Sequence, residues 1–339
     1  MLDVTVILFD DGYASTAVLP VEVFHSAGTL WQFLNQEAPQ PFFRVTTASL
    51  DGKPVRSPYA GLSMAPQCAL KDVEHTDIVI VPTSGPDLDV SLPANSALMP
   101  WLRQRHAEGA YVAGVCMGIA YLAEAGLLEG RRATTHWAVA DSLRRRYANV
   151  NWRPDLFVTE DNRVLCSGGL TAAADLSLYM VEKLCGHEIA VQTAKALLLS
   201  MPRTHQMGYA VLPLSRPHGD ERVRAVQDYL QETFCKPHTT GELADYAGMS
   251  ERTLLRRFKA ATGQVPAAYL RSLRLEAAKA MLERDCSPVQ AVSSAVGYDD
   301  IAFFRTLFKR HTGMTPAEYR ERFAALSVRR AELVDLNLA

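Results

Sequence analysis

The stretch "AGVCMGIAYLAEAGLLEG" (113–130) decides how the first half of the chain is read. A short apolar run ends in Gly114-Val115-Cys116-Met117-Gly118, and a helix-like pattern begins at once. Glycines on both sides let a strand and a helix approach closely, with the cysteine at the corner. Several enzyme families display a nucleophile at such a corner. A helix N-terminus there favours a thiolate and offers free backbone N–H groups to a carboxylate or oxyanion.

The surrounding pattern agrees with a strand-to-helix corner. "VTVILF" (4–9), "FRVTTAS" (43–49), "DIVIVP" (77–82), "AYVAGV" (110–115) and "RVLCSGG" (163–169) are apolar, β-branched runs that stop at Gly, Pro or Ser. Stretches of helical period separate them, at Pro20–Leu34, Asn95–Glu108, Met117–Ala125 and Leu170–Leu184. Near-continuous apolar strands alternating with helices predict an α/β fold, a doubly wound and mostly parallel sheet covered on both faces. Ligands on such sheets bind beyond the carboxyl ends of the strands.

The 339 residues exceed one ordinary domain and point to two or three. With 48% apolar and 21% charged residues the composition is globular, and no apolar run approaches the roughly 20 residues that span a bilayer. The start, "MLDVTVILFDD", reads as a first strand rather than a signal peptide. Six cysteines lie far apart without CxxC spacing. That argues against zinc and for reduced thiols in a cytoplasm; no cofactor and no metal are expected. The net charge of −2 hides an asymmetry. Residues 1–217 carry 17 Lys+Arg against 21 Asp+Glu, a balance of −4, whereas residues 250–325 carry 13 against 8, or +5. A basic segment on an acidic body suggests a polyanion partner for that segment alone.

From Asp220 onward the pattern is helix after helix, and it repeats. "LADYAGMSERTLLRRFKAATGQVPAAYL" (243–270) matches "VSSAVGYDDIAFFRTLFKRHTGMTPAEYR" (292–320). The pairs Phe258/Phe308, Lys259/Lys309, Gly263/Gly313, Pro266/Pro316 and Tyr269/Tyr319 all stand 50 positions apart. In each copy a short helix ends at a glycine, Gly248 or Gly297, and Ser250 or Asp300 can cap the next. Leu254 and Phe258, or Phe304 and Phe308, face the core. Arg252, Arg256 and Lys259, or Arg305, Lys309 and Arg310, face outward. Each copy is thus a helix-turn-helix, and "AAYLRSLRLEAAKAMLERD" (267–285) joins the two so that they can address successive major grooves.

"YLRSLRLEAAKAML" followed by "VQAVSSAVGYDDIAFFRTLFKRHTGMTPAEYR" resembles the DNA-binding domain of AraC/XylS transcriptional regulators, from Arg222 to Phe323. The expected DNA contacts are Ser250, Arg252, Thr253, Arg256 and Lys259, then Ile301, Ala302, Arg305, Thr306 and Lys309. Thr306 departs from the arginine usual in the family, and Ile301 and Ala302 can touch thymine methyls.

"GVCMGIAYLAEAGLLEGRRATTHW", with "LPVEVF" (19–24) and "CSGGLTAAADLSLYMVE" (166–182), resembles the class I glutamine amidotransferase-like fold of the PfpI/ThiJ branch. It takes the form fused to AraC domains in GlxA-type regulators. The resemblance implies a flavodoxin-like first domain over 1–195, a linker at 196–219, a DNA-binding domain at 220–325 with helix-turn-helix motifs near 241–259 and 289–310, and a tail at 326–339. It also bears on the chemistry, since hydrolysis needs a base for the thiol proton and a group to orient that base. In the catalytic branch a histidine follows the cysteine, and an acid stands four positions before the proline that opens the first helix. This chain has Met117 and Thr16 there. His136 either completes a Cys/His pair or hydrogen-bonds at a helix start.

The site therefore reads as an enzyme pocket turned sensor, with Cys116 a vestigial nucleophile and no catalytic residue. Thr16, Ser84, Gly85, Cys116, Met117, His136 and Trp137 are the expected ligand contacts, and the Trp137 face suits a quaternary ammonium group. The resemblance implies a nitrogenous effector, an amino acid or a betaine- or carnitine-like compound. Asp175 either pairs with a ligand cation or makes a structural hydrogen bond. The expected partners are double-stranded promoter DNA, that effector, a second copy of the chain, and RNA polymerase where the protein activates; no membrane is among them. A thiol-dependent amidase, protease or deglycase fused to a DNA-binding domain is the rival, and a constitutive architectural protein the third reading.

Overall fold

The computed structural model describes residues 1–59, 61–210, 218–284 and 286–324. Residues 211–217 of the expected linker, the last residue of the expected joining helix, and the expected tail lie outside them. The chain divides into two compact units, Met1–Met207 and Gly208–Ala339.

The strands of the first unit are β1 Leu2–Ile7, β2 Phe43–Ser49, β3 Val55–Arg56, β4 Ser63–Met64, β5 Cys68–Ala69, β6 Ile78–Val81, β7 Tyr111–Val115, β8 Arg132–Ala133, β9 Asn151–Trp152, β10 Val158–Asp161 and β11 Val164–Ser167. Among the described residues, seven form one sheet in the order β10-β11-β7-β6-β1-β2-β5. All its pairings are parallel except the edge hairpin of β10 with β11. That hairpin turns at Asn162 and Arg163, both with positive φ (48° and 60°), as a tight two-residue turn requires.

The helices are α1 Ser15–Ser26, α2 Leu30–Leu34, α3 Leu88–Ala94, α4 Leu98–Ala107, α5 Ile119–Glu124, α6 Ala140–Arg146, α7 Ala172–Cys185 and α8 His187–Ala196. Alternation along β6 explains the two cores. Val79 and Val81 pack with Leu98, Leu102, Ile119 and Leu122 on one face. Ile78 and Ile80 pack with Phe24, Leu176 and Met180 on the other. A strand buried on both faces has no polar position to offer, which is why "IVIV" reads as a continuous apolar run.

Two expectations need correction. Pro20 does not open the first helix but lies inside α1, which begins at Ser15. The carbonyls of Tyr13 and Ala14 already accept from the N–H groups of Thr16, Ala17 and Val18, so the helix is under way before Pro20, which removes its own donor and crowds the carbonyl four residues before it. Residues 197–207 are not a free linker. Phe157 N–H donates to Thr204 O, and Gln206 is 1% exposed within the first unit.

The second unit consists of α9 Glu221–Thr233, α10 Thr240–Tyr246, α11 Glu251–Thr262, α12 Pro266–Arg284, α13 Val289–Ala295, α14 Ile301–Thr312 and α15 Pro316–Phe323. Side chains cap the helices whose starts look polar in the sequence. Thr239 and Thr315 form capping boxes with Glu242 and Glu318, Ser250 accepts from Thr253 N–H, and Asp300 accepts from the N–H groups of Ala302 and Phe303. Gly248 and Gly297 adopt φ of 60° and 82°, the left-handed turn between paired helices. Each pair has its own core. Leu243, Leu254, Phe258 and Tyr269 gather in the first, and Val292, Phe304, Phe308 and Tyr319 in the second. The long α12 serves both, through Leu273 and then through Leu275, Ala278 and Leu282. At roughly 1.5–3 kcal/mol for each fully buried large apolar side chain, these cores fix both pairs on one arm.

Candidate functional site

The corner between β7 and α5 forms because both glycines have no room for a side chain. A Cβ at Gly118 would stand 2.2 Å from Val81 O and 2.3 Å from Pro82 O, and one at Gly114 would stand 2.9 Å from Ile119 Cγ1. Cys116 sits between them with φ 55°, a value that costs a non-glycine residue energy and marks a nucleophile corner. A three-residue turn, Cys116–Gly118, leads into α5.

The electrostatics do not follow the geometry. Cys116 is 7% exposed, and burial pushes its thiol pKa up. The Thr83 hydroxyl and the Met117 N–H beside the sulfur act in the opposite sense. Desolvation outweighs them, so the expected thiolate gives way to a neutral thiol. The backbone donor expected for an anion is also engaged, because Met117 N–H donates to Thr83 Oγ1 at 3.0 Å.

Thr16 takes the place expected of the acid and behaves as a brace. It is fully buried; its hydroxyl donates to Tyr13 O at 2.7 Å and accepts from Thr83 N–H at 3.2 Å. Ser84 is 2% exposed, with its hydroxyl on Ser91 Oγ at 3.3 Å, and Gly85 is buried beside it. Thr135 Oγ1 donates to Cys116 O at 3.0 Å and ties the corner to the loop that carries His136 and Trp137. Among the described residues, His136 makes no hydrogen bond to Cys116. Its Nδ1 accepts from Ala138 N–H at 3.1 Å, and burial pushes its pKa down, so it is a neutral imidazole protonated on Nε2. The Cys/His pair is therefore not formed, and the histidine serves as a local turn acceptor. Trp137 is half-buried.

Two residues that the sequence reading passed over complete the arrangement. Thr83, at the carboxyl end of β6, links Thr16 to the corner. Gln206 fastens the His136–Trp137 loop. Its Nε2 lies 2.7 Å from Thr135 O, 3.0 Å from Leu156 O and 3.2 Å from Thr134 Oγ1, and its Oε1 accepts from Trp137 N–H at 3.3 Å. Asp175 pairs with Arg203 instead of awaiting a ligand, the shortest contact being 2.6 Å, and the guanidinium stacks on Phe157. The open space beside the corner is a cleft of about 640 Å³ whose lining includes Pro86, Asp87, Asp89, Met117, Arg145 and Arg146. Arg146 is paired with Asp89, while Arg145 is exposed and in no ion pair among the described residues. Of the expected ligand contacts, only Met117 lines this cleft. Among the described residues, one group with metal-ligand geometry, Asp3, His75 and Asp77, lies at the amino-terminal ends of β1 and β6, away from the corner at the carboxyl end of β7, and Asp3 is held by Arg44.

On the second unit, Arg252, Arg256, Lys259, Ala302, Arg305, Thr306 and Lys309 are exposed, whereas Thr253 and Ile301 are half-buried. Ser250 is exposed but spends its oxygen on the cap. The free cations among them enter no ion pair within the described residues, unlike Arg257, which is held by Asp220 at 2.7 Å. None of the described helices is long and apolar enough to cross a membrane.

Comparison with known proteins places both units. The DJ-1/PfpI family matches residues 3–183, and a helix-turn-helix domain matches residues 243–322. The chain is similar to the HTH-type transcriptional regulator CdhR of Pseudomonas aeruginosa, 30% identical over 280 residues that cover 82% of each chain. It is also similar to the isonitrile hydratase of Pseudomonas putida, 34% identical over 157 residues, 45% of this chain and 60% of that one. A putative transcriptional regulator from Vibrio parahaemolyticus has a similar fold, with a TM-score of 0.51 and 22% identity over 58% of this chain and 98% of that chain.

Proposed function

The chain belongs to the DJ-1/PfpI family, joined to a helix-turn-helix domain as in transcriptional regulators, and from that premise we propose that its first unit is a sensor that performs no catalysis. The protein is a DNA-binding regulator of transcription, and the remaining question is what the cysteine corner does. The observation that carries our answer is the missing proton relay. Cys116 is a buried, neutral thiol, Thr16 and Met117 stand where an acid and a base would be needed, and His136 Nδ1 is already occupied.

The effector binds in the cleft beside Met117, at the corner that Thr135 ties to the Trp137 loop. A small compound with both a cationic nitrogen and a carboxylate, an amino acid or a betaine- or carnitine-like molecule, suits the cleft's mixed lining of Asp87 and Arg145. Gln206 gives this contact a consequence. It holds the backbone of Thr135 and Trp137, and it stands two positions before the second unit begins at Gly208. An effector that favours one arrangement of this loop shifts the population of DNA-competent molecules.

Calorimetric titration of amino acids and trimethylammonium carboxylates into the full chain, with and without promoter DNA, tests the reading. A compound whose binding alters DNA affinity supports it. Turnover of an amide, isonitrile or glycated substrate that disappears in Cys116→Ala defeats it in favour of a tethered enzyme. The expected homodimer is checked by sedimentation of the same samples.

A further inference from the structure

The two reading helices are built alike and equipped differently. Each has twelve residues, α11 Glu251–Thr262 and α14 Ile301–Thr312, with a side-chain cap at the start and a left-handed glycine at the end. In each, the last threonine donates to the carbonyl four residues back, at 2.8 Å in both. Positions 50 apart are therefore equivalent in geometry, and their side chains can be compared directly.

On α11 the exposed face carries Arg252 and Arg256, neither of them in an ion pair among the described residues. At the same two positions α14 carries Ala302 and Thr306, both exposed. The Thr306 hydroxyl donates to Ala302 O at 3.0 Å, so its proton is committed to the helix and what it adds to the surface is a methyl group and an acceptor. Beside them Phe303 leaves 55% of its surface in solvent, where the first helix has the half-buried Thr253. The cations of α14, Arg305, Lys309 and Arg310, flank this apolar strip and suit phosphates.

We propose that the two helices recognise chemically different half-sites: α11 reads guanine through Arg252 and Arg256, and α14 reads thymine C5-methyl groups through Ala302, Phe303 and Thr306. Guanidinium groups bond guanine O6 and N7 in a bidentate manner, whereas alanine, phenylalanine and threonine methyl groups complement the thymine methyl. The proposal rests on the reading of both helices as major-groove elements. It adds what each one selects.

The test is selection by the full chain from duplexes with 30 randomised base pairs, followed by binding measurements on the enriched sequence. The expected motif has two unlike blocks about one helical turn apart, one containing guanine and one a run of thymines. Replacing thymidine by deoxyuridine in the second block removes only methyl groups and should weaken binding about fourfold for each methyl contacted. Phe303→Ala should relax the thymine block alone, and Arg252→Ala the guanine block alone. Two like blocks, or full affinity for the deoxyuridine duplex, would overturn the proposal while leaving DNA binding intact. Failure to enrich any sequence would instead remove the reading beneath it.

Discussion

Gln206→Ala is the substitution that separates a packed segment from a linker. In a solvated connection, exchanging glutamine for alanine changes stability by no more than about 0.5 kcal/mol. Here the side chain is 1% exposed and its amide faces Thr135 O, Leu156 O and Thr134 Oγ1, with Trp137 N–H on its oxygen. Two amide hydrogens serve three acceptors, so about three net hydrogen bonds are at stake. At about 1 kcal/mol each, and with buried carbonyls left to find water, the loss is about 3 kcal/mol. For a folding unit of about 200 residues this lowers the melting temperature by roughly 6–12 °C. Gln206→Glu keeps the size but cannot donate to either carbonyl and buries a charge, so it should melt lower still at pH 7. Thermal unfolding of the full chain, followed by the tryptophans of the first unit, reads both. A melting temperature for Gln206→Ala within a degree of the parent refutes the clamp and returns residues 197–207 to the status of a linker.

Other outcomes follow from the same geometry. Because burial raises the Cys116 pKa, the folded protein keeps its proton while the unfolded chain loses it near the ordinary thiol value of about 8.5. Stability should therefore fall as pH rises above about 8.5, and Cys116→Ala should make that fall shallower in urea titrations. Cys166, pushed up to about 12, and Cys185, pushed up to about 11, should maintain part of the fall. Asp175→Asn removes the anion that holds Arg203 and should cost about 3 kcal/mol in the same assay, with no direct effect on ligand affinity. On DNA, Arg256→Ala should weaken binding by about 1–3 kcal/mol if it contacts a base, and Lys259→Ala should lower the slope of log affinity against log salt by about one. Unchanged binding in both variants counts against α11 as a reading helix.

Local rules made much of this molecule legible from its residues. The apolar runs marked the strands, Gly114 and Gly118 marked the corner, and the fifty-residue offset of Phe258 and Phe308 marked two equivalent helix pairs. The capping residues Ser250 and Asp300 could be read because a cap acts within three positions. Contacts between distant residues had no such signature. Gln206 meets Thr135 across 71 positions and Arg203 meets Asp175 across 28, and nothing near either residue announces its partner. The protonation of the corner was also out of reach. A helix start beside a cysteine predicts a thiolate, and only the enclosure of Cys116 reverses that sign. The linker expected at 196–219 reflects the same limit, since the burial of a polar residue such as Gln206 leaves no periodic trace.

The tightness of the corner has a consequence for how such a protein changes over time. With Val81 O and Pro82 O so close to Gly118, the backbone around Cys116 leaves almost no latitude for drift. Gain or loss of reactivity must then be written in the few side chains that surround the sulfur, foremost those at positions 16 and 117. A change of role at this corner can therefore be sought on an unaltered frame, and an engineered Thr16→Glu, Met117→His double variant is a short route by which to look for thiol chemistry.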